Sequence, residues 1–245
     1  MPVHTTNERN MRKLFVYILT ALIFASCEVI DWNNRLIPVD GPTGGRKHVL
    51  LEFTGFRCVN CPTAAEIAQN LEAMYDGRLY AVSLHPASNP FTQGKYDYTC
   101  PAADSIYQWM GGTVSTPFPA GNVDCKPFEG EWFSDMSAWA TMVYQAMRDN
   151  DEIQCEMPLE MSYWLIEDSV LGVQAMPDGT VNDHYYHRHL LRDVKEDAYQ
   201  LEVKESYNKK QLYILTIYQN PQDKSIYHAY EETFLGSLGP VDDNK

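Results

Sequence analysis

The chain has 245 residues, 44% of them hydrophobic, and a formal charge of −14. This length and apolar share suit one large or two small globular domains and argue against bulk disorder. The acidity argues against nucleic acid as a partner, because phosphate binding needs a basic footprint.

Met11-Arg12-Lys13 is a basic start to an apolar run from Leu14 to Phe24, which is too short to span a bilayer. Ala25-Ser26-Cys27 then sets small residues before a cysteine. This resembles a bacterial lipoprotein signal, in which Cys27 becomes the lipidated N-terminus and the membrane contact. The alternative is an ordinary secretory signal, and both imply export. Residues 1–26 are expected to be the signal and 27–47 a flexible tether. Asn33-Asn34, Pro38, Asp40-Gly41-Pro42 and Gly44-Gly45 leave that tether no periodicity.

Residues 48–150 alternate strand and helix patterns. Strands are expected over 49–53, 79–84 and 118–124, and helices over 63–75, 101–110 and 134–148. Such alternation implies an α/β layer fold with a parallel element. Between the first strand and first helix stand Cys58 and Cys61, two residues apart. A helix N-terminus stabilises a thiolate, so strand, C-x-x-C and helix in succession favour thiol–disulfide chemistry over a zinc site. No second C-x-x-C supports zinc. In an exported chain the same pair also suits a structural disulfide.

Glu52-Phe53-Thr54-Gly55-Phe56-Arg57-Cys58 resembles the thioredoxin segment in which a buried acid lies six residues before the first cysteine. The resemblance implies that Cys58 attacks, Cys61 resolves and Glu52 accepts a proton from Cys61. It also implies a cis-proline at Thr116-Pro117, before the third strand, shaping a substrate groove. Two features depart from the pattern. Arg57 replaces an aromatic residue, which would lower the thiolate pKa by its charge, and Val59-Asn60 replaces Gly-Pro. His85 ends the second strand and would lie beside the cysteine loop.

From 151 to 245 the period changes to two. Strands are expected near 159–166, 170–175, 199–204, 212–218 and 225–234, as a small all-β sandwich-like domain after the thioredoxin-like one. Trp164, Glu167-Asp168, Gln174 and the stretch Tyr185 to Arg192 resemble the outer membrane protein 28-related lipoprotein family. That family combines a lipoprotein signal, a thioredoxin-like domain and a β-sandwich. The resemblance implies a lipid-anchored outer-membrane protein of a Gram-negative bacterium, on the periplasmic or the surface face. Arg192 would pair with Glu167 or Asp168.

His187 and His189 would share a face of one strand and are the candidate metal ligands, but no acid or thiolate set completes a site, so no metal and no cofactor is expected. With Cys27 lipidated, Cys58, Cys61, Cys100, Cys125 and Cys155 remain, and Cys100 with Cys125 is one candidate further pair. Two functions stay open. One is a thiol–disulfide oxidoreductase whose partners are protein thiols or disulfides. The other is a binding or structural lipoprotein with a structural Cys58–Cys61 bond, contacting a protein or surface ligand through its C-terminal part.

Overall fold

The structure is a computed structural model that describes residues 45–148 and 158–233; Cys27, Cys155 and the expected signal lie outside them. Strand β1 (His48–Phe53) is buried at every position. A strand covered on both faces needs apolar residues on both, and Val49, Leu50, Leu51 and Phe53 supply them. Burying each contributes roughly 1.5–3 kcal/mol. Helix α1 (Cys61–Met74) follows, with Pro62 in its first turn and Cys61, Ala64, Ala68 and Leu71 as the buried stripe. Strand β2 (Leu79–Leu84) returns parallel to β1, placing Ser83 opposite Glu52.

Helix α2 (Pro101–Trp109) starts at Cys100, whose sulfur accepts a hydrogen bond from Ala103 N at 3.4 Å. Strand β3 (Ala120–Val123) runs antiparallel to β1 on its other side. Helix α3 (Trp139–Arg148) follows a short 3-10 turn at Met136–Ala138. Gly121 lets α3 approach: a Cβ there would stand 2.1 Å from Trp139 Nε1.

The C-terminal part supplies β4 (Glu160–Glu167), β5 (Val170–Ala175), β6 (Val181–His187), β7 (Leu190–Lys195), β8 (Leu212–Gln219) and β9 (Ile226–Thr233). Among the described residues these strands do not build the expected sandwich. Seven strands form one sheet in the order β3-β1-β2-β7-β4-β8-β9, and β5 pairs only with β6. The join is narrow: Ser83 of β2 registers with Leu190 of β7, and Ser83 N donates to His189 O at 2.9 Å. One apolar core runs across the join, so that Trp164, Ile166, Leu191 and Leu215 cluster with Val49, Leu51 and Val82.

Two local expectations also change. Tyr199 to Lys204 is not a strand; Ala198–Gln200 is a 3-10 turn capped by Asp197, and Leu201 packs with Leu165, Tyr207, Leu212 and Ile214. His187 and His189 do not share a strand face, because His187 ends β6 while His189 takes φ 49° in the link to β7. Arg192 does meet Glu167, Nε to Oε2 at 2.8 Å, with both side chains buried. Asn208 N donates to the other Glu167 oxygen at 2.6 Å, and Tyr207 lies under the guanidinium at 4.5 Å.

Candidate functional site

The cysteine loop hangs between β1 and α1. Arg57 N donates to Phe91 O at 3.1 Å and Cys58 N to Gly55 O at 3.0 Å, which folds the loop back on itself. Cys58 and Cys61 are joined as a disulfide with Cα atoms 5.4 Å apart, within the ordinary range. Cys61 opens α1, so the pair sits at a helix N-terminus as the sequence implied. Each cysteine is only 2% exposed. Arg57 points to solvent, its guanidinium reaching Gln93 O at 3.4 Å.

Behind the disulfide lies a small polar cavity of about 10 Å³, roughly one water molecule in size. Its lining includes Glu52, Cys61, Ser83, His85, Tyr185 and His187. Glu52 is brought here by the two-fold alternation of β1 and by its register with Ser83, whose hydroxyl donates to Oε2 at 3.2 Å. Its Oε1 has no partner. Burial raises the Glu52 pKa to about 7, against the opposing pull of the Ser83 hydrogen bond and the nearby His189 charge.

His85 also lies here, as its place at the end of β2 suggested. It is buried, and neither ring nitrogen has a hydrogen-bond partner. Burial, with the charges of His187 and Arg192, holds its pKa well below the usual histidine value. His187 packs on Tyr98 with ring centroids 4.4 Å apart, and its Nε2 lies 3.3 Å from Val173 O. Burial lowers its pKa to about 4. His189 stands apart from these rings, with Nδ1 against Tyr213 Oη at 2.9 Å and Nε2 against Glu72 at 3.1 Å. Among the described residues no group of three or more side chains is arranged to hold a metal.

The proline expectation is corrected. The cis peptide bond is Phe118–Pro119, immediately before β3, rather than Thr116–Pro117. Pro117 is exposed, and Thr116 is held by Asn89 Nδ2 on its carbonyl and Thr113 N on its hydroxyl. Cys100 and Cys125 are not paired; both are free, buried thiols. Burial pushes the Cys100 pKa up to about 11 and that of Cys125 higher still, so neither is a ready nucleophile.

The β5–β6 hairpin covers the disulfide. Gln174 Nε2 donates to Cys58 O at 2.8 Å and approaches Gly55 O at 3.4 Å, while Ala175 N donates to Phe56 O at 2.8 Å. Val173 N donates to Tyr98 Oη at 2.9 Å. A β-bulge between Gly172 and Gln174 shifts the pairing register, the device that re-aims a side chain. Gly172 is required by the same packing, since a Cβ there would stand 2.0 Å from Tyr98 Oη. Sequence reasoning assigned Gln174 and Tyr98 no part in the site. Gln174 falls in an ordinary alternating strand, and Tyr98 carries no local signal.

No family model matches the chain and no curated protein matches it. Among solved structures it is similar to HBP35 of Porphyromonas gingivalis, with TM-score 0.57 and 16% identity over 82% of this chain and 79% of that one. The fold is thioredoxin-like. A protein of Agrobacterium tumefaciens is more distant, with TM-score 0.44 and 12% identity over 79% of this chain and 96% of that one. The first likeness speaks to fold alone, and nothing is drawn from the second. In this thioredoxin-like fold the disulfide occupies the junction of β1 and α1, with the acid of β1 behind it.

Proposed function

We propose that this protein is an exported, lipid-anchored thiol–disulfide oxidoreductase acting through Cys58 and Cys61. Glu52 carries the reading. A buried carboxyl with an unpartnered oxygen costs stability, and a disulfide that only staples the chain has no use for it. Exchange does have a use for it. A partner thiolate attacks Cys58 Sγ and the Sγ–Sγ bond breaks. Cys61 leaves as a thiolate and takes the proton of neutral Glu52. A second partner thiolate then attacks the partner's sulfur in the mixed disulfide and releases Cys58. The partner dithiol is oxidised by two electrons to a disulfide, its two protons pass to solvent, and the Cys58–Cys61 pair is reduced, with Glu52 reprotonated from water. The reverse sequence reduces a partner, and the relative potentials set the direction.

The signal-like segment ending at Cys27 supports export and lipid anchoring, and the stretch from Trp164 to Arg192 supports an outer-membrane lipoprotein related to the outer membrane protein 28 group. Protein thiols or disulfides are the expected partners. A second reading is a binding lipoprotein with a structural disulfide, and the 2% exposure of both cysteines favours it.

The two readings differ in the role of Glu52. The rate of disulfide reduction by dithiothreitol, divided by the same rate in Glu52→Gln, is expected to change about a hundredfold across a midpoint near pH 7, the low end of general acid–base assistance. A ratio that stays flat from about pH 5 to about pH 9 would leave Glu52 without a part in exchange.

A further inference from the structure

We propose that the β5–β6 hairpin, Val170 to His187, is an autoinhibitory lid that must lift from the cysteine loop before Cys58 can exchange. The proposal rests on the exchange reading above and adds to it a closed and an open state. Four observations carry it.

Among the described residues the hairpin is paired only with itself, so lifting it breaks no hydrogen bond of the seven-stranded sheet. A lone two-stranded hairpin is marginal in water, and this one leans on the cysteine loop for support. Its polar hold is local: Gln174 on Cys58 O and Ala175 on Phe56 O within the loop, and Val173 on Tyr98 Oη beside it. Val170 and His187 add packing against Phe56, Tyr98 and His85, while Leu171, Val181 and Tyr186 are each more than half exposed.

Both ends of the hairpin turn on left-handed residues. Ser169 before it takes φ 54° and His189 after it takes φ 49°, left-handed values that side chains seldom adopt. Asp168 clamps the two ends together. Its carboxylate accepts from Arg188 Nε at 2.7 Å, His189 N at 3.2 Å and Ser169 Oγ at 2.9 Å. The base of the hairpin is therefore fixed while its body is held by few bonds.

Closure also carries a penalty that opening relieves. Under the hairpin, Glu52 Oε1 and both nitrogens of His85 are buried without partners. Water reaches them when the hairpin lifts, which offsets part of the bonding that is lost. Opening therefore costs less than the lost bonds alone would imply.

Native-state hydrogen exchange on the full chain tests the lid directly. The amide of Ala175 is expected to exchange by local opening, at least about a hundredfold less protected than that of Leu215 in the central sheet. Equal protection of the two amides overturns the proposal. Reduction kinetics give a second arm. Gln174→Ala, and independently Gly172→Ala, should speed reduction of the Cys58–Cys61 disulfide by about tenfold, the effect of losing one or two net hydrogen bonds. Rates equal to wild type in both variants, in folded protein, also overturn it. The equilibrium potential separates this proposal from the one beneath it. Faster reduction in the variants with a potential typical of structural disulfides keeps the lid and removes the oxidoreductase. A working potential with unchanged rates does the opposite.

Discussion

Replacing Arg192 by methionine is expected to destabilise the protein by about 3–5 kcal/mol, the cost of leaving a buried partner charge unpaired. The guanidinium sits between Glu167 on β4 and the ring of Tyr207. Its side chain is 8% exposed and that of Glu167 is 4% exposed, so water cannot take its place without rearrangement. Glu167 would retain only the Asn208 amide. The same pair ties β7 to β4 and to the irregular segment before β8, so the loss should spread through the C-terminal half of the sheet. Urea unfolding of the variant checks the figure. The double variant Arg192→Met with Glu167→Leu should recover much of the loss, because two apolar residues leave no orphan charge. A loss below about 1 kcal/mol in the single variant would mean that the pair behaves as a solvated surface bridge.

Glu52→Gln should remove a pH dependence rather than a fixed amount of stability. The folded pKa of Glu52 is raised from 4.5 to about 7. Between those values the folded chain keeps a proton that the unfolded chain has given up, so stability falls as pH rises through the window. The full effect is roughly 3 kcal/mol, at 1.36 kcal/mol for each pKa unit. His187 acts with the opposite sign. Its pKa is lowered from 6.5 to about 4, so the stability it lends is present above 6.5 and is lost as pH falls toward 4. In wild type the two slopes oppose each other over the shared range. In Glu52→Gln the slope of the buried histidines, His187 with His85, is no longer opposed by Glu52, and the variant should gain about 3 kcal/mol on wild type between about pH 5 and about pH 8. Chemical denaturation across that range checks it, and parallel curves for the two proteins would contradict it.

The first half of the fold was legible because its signals are local. The apolar run of β1, Pro62 at the start of α1 and the spacing of Glu52, Cys58 and Cys61 each report on their immediate neighbours in the chain. The sheet extension was not legible. Alternation in β4 and the nearly continuous apolar run of β8 show that these strands are covered, whether they form a new sandwich or lengthen an existing sheet. The residue pair that decides, Ser83 with Leu190, leaves no periodic trace. The cis-proline illustrates a finer limit. Pro117 and Pro119 stand two residues apart, and X–Pro chemistry alone does not choose between them. The cover over the disulfide was hidden for a different reason. Gln174 reaches Cys58 across 116 residues, through a bulge that alternation cannot foresee.

The reduction potential of the Cys58–Cys61 couple tests the central claim most directly. The full chain in detergent would be equilibrated with defined thiol buffers and alkylated under denaturing conditions. The mass of the peptide carrying both cysteines then gives the oxidised fraction without altering Cys100, Cys125 or Cys155. A potential between roughly −120 and −270 mV, the span of working oxidoreductases, is the predicted result. A value below about −300 mV, typical of structural disulfides, would contradict it and make the pair a staple beneath the hairpin.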